Sequence, residues 1–158
     1  MDLELNLCIA KSAARAAGNF LLENKNKNKK IFSEQGRDIK LEIDRLTEEK
    51  ITKELKKTGI PILGEEFGGG SVSDNSYLWV IDPLDGTSNY FRELDQSCVS
   101  IALLNGTEGL IGVIYNFNTD EMFESAKGMG AFLNEKEIKD SNETKREKGY
   151  LTTGLPTS

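Results

Sequence analysis

Two short segments gather carboxylates beside apolar runs. Leu63 Gly64 Glu65 Glu66 closes a run that begins at Ile60, and Trp79 Val80 Ile81 Asp82 Pro83 Leu84 Asp85 Gly86 Thr87 carries two aspartates three positions apart. Proline after Asp82 fixes φ, so a turn is expected there, with Asp82 and Asp85 projecting to one side. Carboxylates held close repel unless a proton or a cation lies between them. With oxygen donors alone the matching cation is hard: magnesium before manganese or calcium. Gly86 Thr87 Ser88 Asn89 Tyr90 has the small, polar character of a tight turn opening a helix, and the free amides of such a turn attract an anion. An Asp-Pro-x-Asp-Gly string is also an ordinary turn. The apolar strand before it, the second acidic strand end and the threonine after its glycine favour a metal cluster beside an anion site.

Composition narrows the chemistry further. The 158 residues include no histidine, which excludes a histidine triad, a histidine phosphorelay and histidine-ligated zinc. A formal charge of -6 argues against a nucleic-acid surface, which needs a basic stripe. Cys8 and Cys98 lack metal-knuckle or redox-pair spacing and are expected to be buried free thiols in a reducing compartment. The amino terminus opens acidic, without the basic region of a secretory signal. No uncharged apolar run approaches the roughly 18 residues of a membrane span. The expectation is a soluble, cytoplasmic, single-domain protein with no nucleic-acid or membrane partner.

The elements that must hold these residues follow from periodicity. Leu3, Leu7, Ala10, Ala14, Ala17 and Leu21 recur at three and four, predicting a helix over Leu3 to Leu22. The polar stretch from Glu23 to Lys30 reads as a solvated loop, although its lysines also suit an anionic ligand. Asp38 to Ile43 alternates as a strand does. Asp44 is then expected as the N-cap of a second helix marked by Leu46, Ile51 and Leu55, which Gly59 and Pro61 end. Strands are predicted at Ile60 to Leu63, Tyr77 to Ile81, Cys98 to Leu104, Leu110 to Tyr115, Glu121 to Ser125 and Gly130 to Leu133. Turns such as Asn105 Gly106 and Asn118 Thr119 Asp120 join antiparallel neighbours. The fold class is therefore α+β, two helices packed on one face of an antiparallel β-sheet. Gly68 to Ser71 lacks the lysine and following helix of a P-loop and is expected to be a flexible surface loop.

A haloacid-dehalogenase-like phosphatase would have its aspartates two apart on a parallel sheet, and neither condition holds. The segment Asp82 to Tyr90 instead resembles the inositol monophosphatase family signature D-P-[IL]-D-G-T-x-N-[FY]. Gly64 Glu65 Glu66 is similar to that family's upstream acidic motif, and Asp38 to Asp44 to the segment ending in its catalytic aspartate. Gly112 Val113 Ile114 Tyr115 and Lys127 Gly128 Met129 Gly130 Ala131 Phe132 extend the likeness over nearly the whole chain.

The resemblance implies a magnesium-dependent, lithium-sensitive phosphatase, with manganese as an alternative cation, acting as a homodimer on inositol monophosphate or a similar small polyol or sugar phosphate. Fructose 1,6-bisphosphate and adenosine 3',5'-bisphosphate are alternatives, although Ser88 Asn89 Tyr90 lies nearer the inositol branch. It implies that Glu65, rather than Glu66, joins Asp82 and the Leu84 carbonyl at one magnesium, and that Asp82 and Asp85 begin a second site. Gly86, Thr87 and Ser88 would hold the phosphate. Glu65 and Thr87 would orient a metal-activated water, with Asp44 accepting the Thr87 hydroxyl. Two departures stand out: Leu41 replaces a usual threonine, and family members continue beyond the equivalent of Ser158 into a second α/β half. Residues 1–158 therefore read as the amino-terminal half, with a noncatalytic, weakly metal-binding domain as the competing reading.

Overall fold

Helix α1 (Leu3–Asn24) opens on Asp2, whose carboxylate accepts the Leu5 N–H at 3.0 Å. Its buried face is made mostly of small residues, Ala10, Ala13, Ala14 and Ala17 with Leu21, so the helix axis lies close to whatever it covers. In the computed structural model, which describes residues 1–27, 30–35, 38–69, 76–140, 144, 145 and 147, α1 covers helix α2 (Glu42–Leu55) on one side and the large sheet on the other. A hairpin of β1 (Ile31–Gln35) and β2 (Asp38–Leu41) stands between the helices in sequence. Its first strand was not predicted.

The large sheet has eight strands: β3 (Ile62–Gly64), β4 (Gly68–Gly69), β5 (Tyr77–Asp85), β6 (Cys98–Asn105), β7 (Glu108–Asn116), β8 (Glu121–Ala126), β9 (Gly130–Leu133) and β10 (Lys136–Ile138). Their spatial order is β10-β9-β8-β7-β6-β5-β3-β4. From β5 to β10 the strands form an antiparallel meander, as the short turns predict. The exception is β3, which pairs with β5 in parallel. The architecture is α+β, with helices on a mixed, mostly antiparallel sheet. Alternate residues Trp79, Ile81, Val99, Ile101, Leu103, Val113 and Tyr115 are buried with the α1 face, as a one-faced sheet requires.

Several expectations need correction. Strand β5 does not stop at Ile81 but runs through Pro83 to Asp85, with an irregularity in its pairing to β6 between Asp82 and Asp85. Pro83 is tolerated because it lies in that bulge and past Ile81, the last partner of β3, where no ladder bond is demanded of its nitrogen. Gly68 and Gly69 are not loop but β4, paired antiparallel to β3; Gly70 and Ser71 lie outside the described residues. Asp44 is not the N-cap of α2. Leu41 occupies that position, and Asp44, three residues on, reaches back to accept the Leu41 N–H at 2.7 Å. A leucine has no side-chain acceptor, so only this returning half of a capping box forms.

Cys98 is partly buried as a free thiol, but Cys8 is exposed, since it falls on the outer side of α1. The polar stretch after α1 is only partly a solvated loop. Glu23 and Asn24 remain helical, and Lys25 Nζ bonds Asp95 Oδ1 and Asn118 Oδ1, each at 2.7 Å. No described helix is long and apolar enough to cross a membrane.

A short helix α3 (Thr87–Phe91) follows β5. Its Tyr90 is fully buried, donates to the Leu21 carbonyl of α1 at 2.8 Å and meets the Phe117 ring edge-on at 6.2 Å. Tyr90→Phe keeps the packing and removes that hydrogen bond. It should lower unfolding free energy by about 1 kcal/mol in denaturant titration.

Candidate functional site

The parallel pairing of β3 with β5 assembles the acidic centre. Ile62 lies opposite Trp79, Leu63 opposite Val80 and Gly64 opposite Ile81. β3 ends at Gly64 while β5 continues, and parallel register places the residue after Gly64, Glu65, beside the residue after Ile81, Asp82. Their carboxyl groups share a hydrogen bond.

The bulge then brings in Asp85. Residues three apart on a regular strand face opposite sides. Here Asp82 pairs with Ser100 and Asp85 with Cys98, so three steps on β5 match two on β6. The extra residue, a bulge, returns Asp85 to the side of Asp82. Burial, then the charges of Glu65 and Asp85, then the bond to Glu65 raise the Asp82 pKa from 3.8 to about 7. The Leu84 N–H, donating to Asp82 Oδ1 at 3.1 Å, opposes that rise. Cys98 Sγ lies 3.6 Å from Asp85 Oδ2, and burial, aided by Asp85 and Asp82, pushes its thiol up to about 12. The acidic donors at this centre are the oxygens of Glu65, Asp82 and Asp85.

Such a set suits a hard divalent cation. Among the described residues no three acidic, cysteine or histidine side chains close on one metal-sized position. The centre is a hydrogen-bonded pair, Glu65 and Asp82, with Asp85 acting on it through charge. The clustered negative charge that raises the Asp82 pKa is what a cation would offset, and in this the residues fit a cation.

The turn after Asp85 is built to close tolerance. Gly86 has φ 84°, and a Cβ there would lie 2.6 Å from the Gln96 carbonyl oxygen, so glycine is required twice over. Asn89 Nδ2 donates to the same Gln96 oxygen at 2.7 Å. The first helical bonds of α3 are those that Asn89 and Tyr90 donate to Gly86, and the amides of Thr87 and Ser88 precede them. The Thr87 hydroxyl donates to the Leu84 carbonyl at 3.0 Å, in place of the expected bond to Asp44. Asp44 is buried near α3, close enough for its charge to help burial raise the Tyr90 pKa.

One residue of this region was missed. Glu48 is 2% exposed, its Oε2 accepts the Glu66 N–H at 2.7 Å, and its Oε1 accepts the Phe67 N–H at 3.1 Å. Positions 44, 47, 48, 51 and 55 form the buried stripe of α2. A glutamate within such a stripe was the available signal.

The family model described as Inositol monophosphatase family matches residues 2–158. The chain is 41% identical over 147 residues to the Nus factor SuhB of Xylella fastidiosa, covering 90% of this chain and 53% of that protein. It is 37% identical over 159 residues to a fructose-1,6-bisphosphatase/inositol-1-monophosphatase of Aquifex aeolicus, covering 98% and 60%. Among solved structures, inositol monophosphatase from Anabaena (Nostoc) sp. superposes with a TM-score of 0.75 at 36% identity, over 90% of this chain and 52% of that one. The extragenic suppressor protein suhB of Bartonella henselae gives 0.79 at 32% identity, over 85% and 54%. The chain thus spans little more than half the length of the relatives it matches.

The raised Asp82 pKa fixes the sign of a pH effect. The folded carboxyl keeps its proton up to about pH 7, whereas the unfolded one releases it near 3.8. Its stabilising contribution is therefore complete below the lower value and disappears as pH rises through the upper one. In chelator-treated protein, denaturation midpoints measured across this range should show a downward component that Asp82→Asn removes.

Proposed function

The chain belongs to the inositol monophosphatase family, and from that premise we propose that the whole protein is a magnesium-dependent, lithium-sensitive phosphomonoesterase of small polyol or sugar phosphates. Inositol monophosphate is the first substrate to test, and a homodimer is the proposed assembly. The observation that carries this reading is the hydrogen-bonded Glu65–Asp82 pair, with the charge of Asp85 acting on it, beside the glycine turn that opens α3. Glu65, Asp82 and the Leu84 carbonyl would hold one magnesium or manganese ion, and Asp82 with Asp85 would begin a second site. A second α/β half would complete that site and grip the alcohol.

When bound, the cations would activate water and offset charge on the phosphoryl and leaving oxygens. The chain's own part is orientation. The Gly86, Thr87 and Ser88 amides hold phosphate oxygens. The Thr87 hydroxyl has its proton directed at Leu84, so its lone pairs can accept a hydrogen bond from the attacking water, while the Glu65 carboxylate is the base placed to take the one proton that water gives up. If the Leu84 carbonyl turns to the cation, the Thr87 hydroxyl is released to the Asp44 carboxylate, which brings Asp44 into the same unit.

A second reading is favoured by a specific relative, the protein named Nus factor SuhB: a factor of that kind, binding metal without turnover. Phosphate release from the full-length protein separates the two. Magnesium-dependent release abolished by Asp85→Asn supports the enzyme, and equal background rates with and without magnesium support the factor. A panel of inositol monophosphate, fructose 1,6-bisphosphate and adenosine 3',5'-bisphosphate ranks the substrates.

Thr87→Ala should lower kcat by about a hundredfold with KM little changed, and Thr87→Ser should retain most activity. Asp44→Asn should behave like Thr87→Ala, and the double variant should be little worse than either, because the two act together. Near-normal kcat in a folded Thr87→Ala protein would remove both residues from the mechanism.

A further inference from the structure

We infer that Glu48 is a positioning residue for the metal site, holding the Gly64–Phe67 turn so that Glu65 meets Asp82. The inference rests on the reading of Glu65 as a metal ligand and assigns to α2 a part in metal affinity.

Both oxygens of the Glu48 carboxylate are occupied by backbone N–H donors, those of Glu66 and Phe67, the two residues directly after Glu65. Amides of successive residues converge on one carboxylate only if the chain turns around it, so the contact sets the backbone path at Glu65. The carboxylate also fills the space beside Gly64. A Cβ at Gly64 would fall 1.9 Å from Glu48 Oε1, so the residue before Glu65 is kept free of a side chain to admit it. Helix α2 grips the turn a second time through Arg45, whose guanidinium lies 5.0 Å from the Phe67 ring centre.

On its other side, the turn is tied to β5 through Gly64 opposite Ile81 and through the Glu65–Asp82 bond. The turn is therefore clamped between α2 and β5, with Glu65 on the β5 side. A glutamine cannot replace Glu48 in this role. It offers one acceptor and one donor, and the donor would face a backbone N–H. Groups that orient metal ligands in this way change affinity by about ten- to a hundredfold when lost.

The test is calorimetric titration of the full-length protein with Mn2+ alone, for wild type, Glu48→Gln, Thr47→Val and Asp82→Asn, with amide hydrogen exchange at Glu66 and Phe67. Thr47 is buried on the same face of α2, and among the described residues its hydroxyl bonds the Ile43 carbonyl of its own helix, so it controls for general loss of stability. Glu48→Gln should weaken Mn2+ binding at least tenfold, Thr47→Val by less than twofold, and wild-type Glu66 and Phe67 amides should exchange slowly.

Affinity within twofold of wild type in Glu48→Gln, or an equal loss in Thr47→Val, overturns the inference. So do fast-exchanging Glu66 and Phe67 amides in the wild type, a measurement that stands even if Glu48→Gln fails to fold. If Asp82→Asn leaves Mn2+ binding intact, the metal reading falls and takes this inference with it. If Asp82→Asn abolishes binding while Glu48→Gln does not, only the role of Glu48 is lost.

Discussion

Every feature of the acidic centre depends on β3 lying parallel to β5 in one register, Gly64 opposite Ile81. A slip of one residue would turn the Glu65 side chain to the other face of the sheet and part it from Asp82. An antiparallel pairing would send the two strand ends to opposite edges. Among the described strands, otherwise paired antiparallel, this is the parallel pair, and the acids collect where β3 ends beside the continuing β5. The bulge after Asp82 is subordinate to it, since it adds a third carboxylate to a pair that the parallel register has already made.

The identities of the central residues were readable because carboxylates beside apolar strands are costly without a purpose. Glu65, Asp82 and Asp85 stood out on that ground, and the meander followed from short Asn-Gly and Asp-containing turns. Register, by contrast, has no local signature. That Pro83 interrupts nothing is a matter of where β3 stops, and that three steps on β5 match two on β6 is a matter of pairing. Asp44 was misplaced by the general preference for aspartate at helix starts, whereas the helix begins at Glu42 and Asp44 acts from inside its first turn. Glu48 was overlooked because charge usually marks the wet face of a helix, and its burial depends on two amides from a distant turn. Lys25 likewise looked like one more solvated lysine, although its partners lie 70 and 93 residues away.

The segment from Asp82 to Tyr90 divides its labour. Asp82 and Asp85 carry charge, Gly86 permits a conformation, Asn89 fastens the turn to the Gln96 loop, and Tyr90 anchors α3 beneath the end of α1. Half of this motif is scaffold. The turn that opens α3 is thus fastened by residues of the same segment that carries the acids.

The hydrogen bond between Glu65 and Asp82 bears on how the fold closes. A site that needed metal to quench its repulsion would leave the nascent chain unable to close until an ion arrived. Here a carboxyl hydrogen bond between the two acids offsets part of that repulsion without an ion. On the metal reading proposed above, binding of an ion would exchange one positive charge for another at a centre that the fold has already closed.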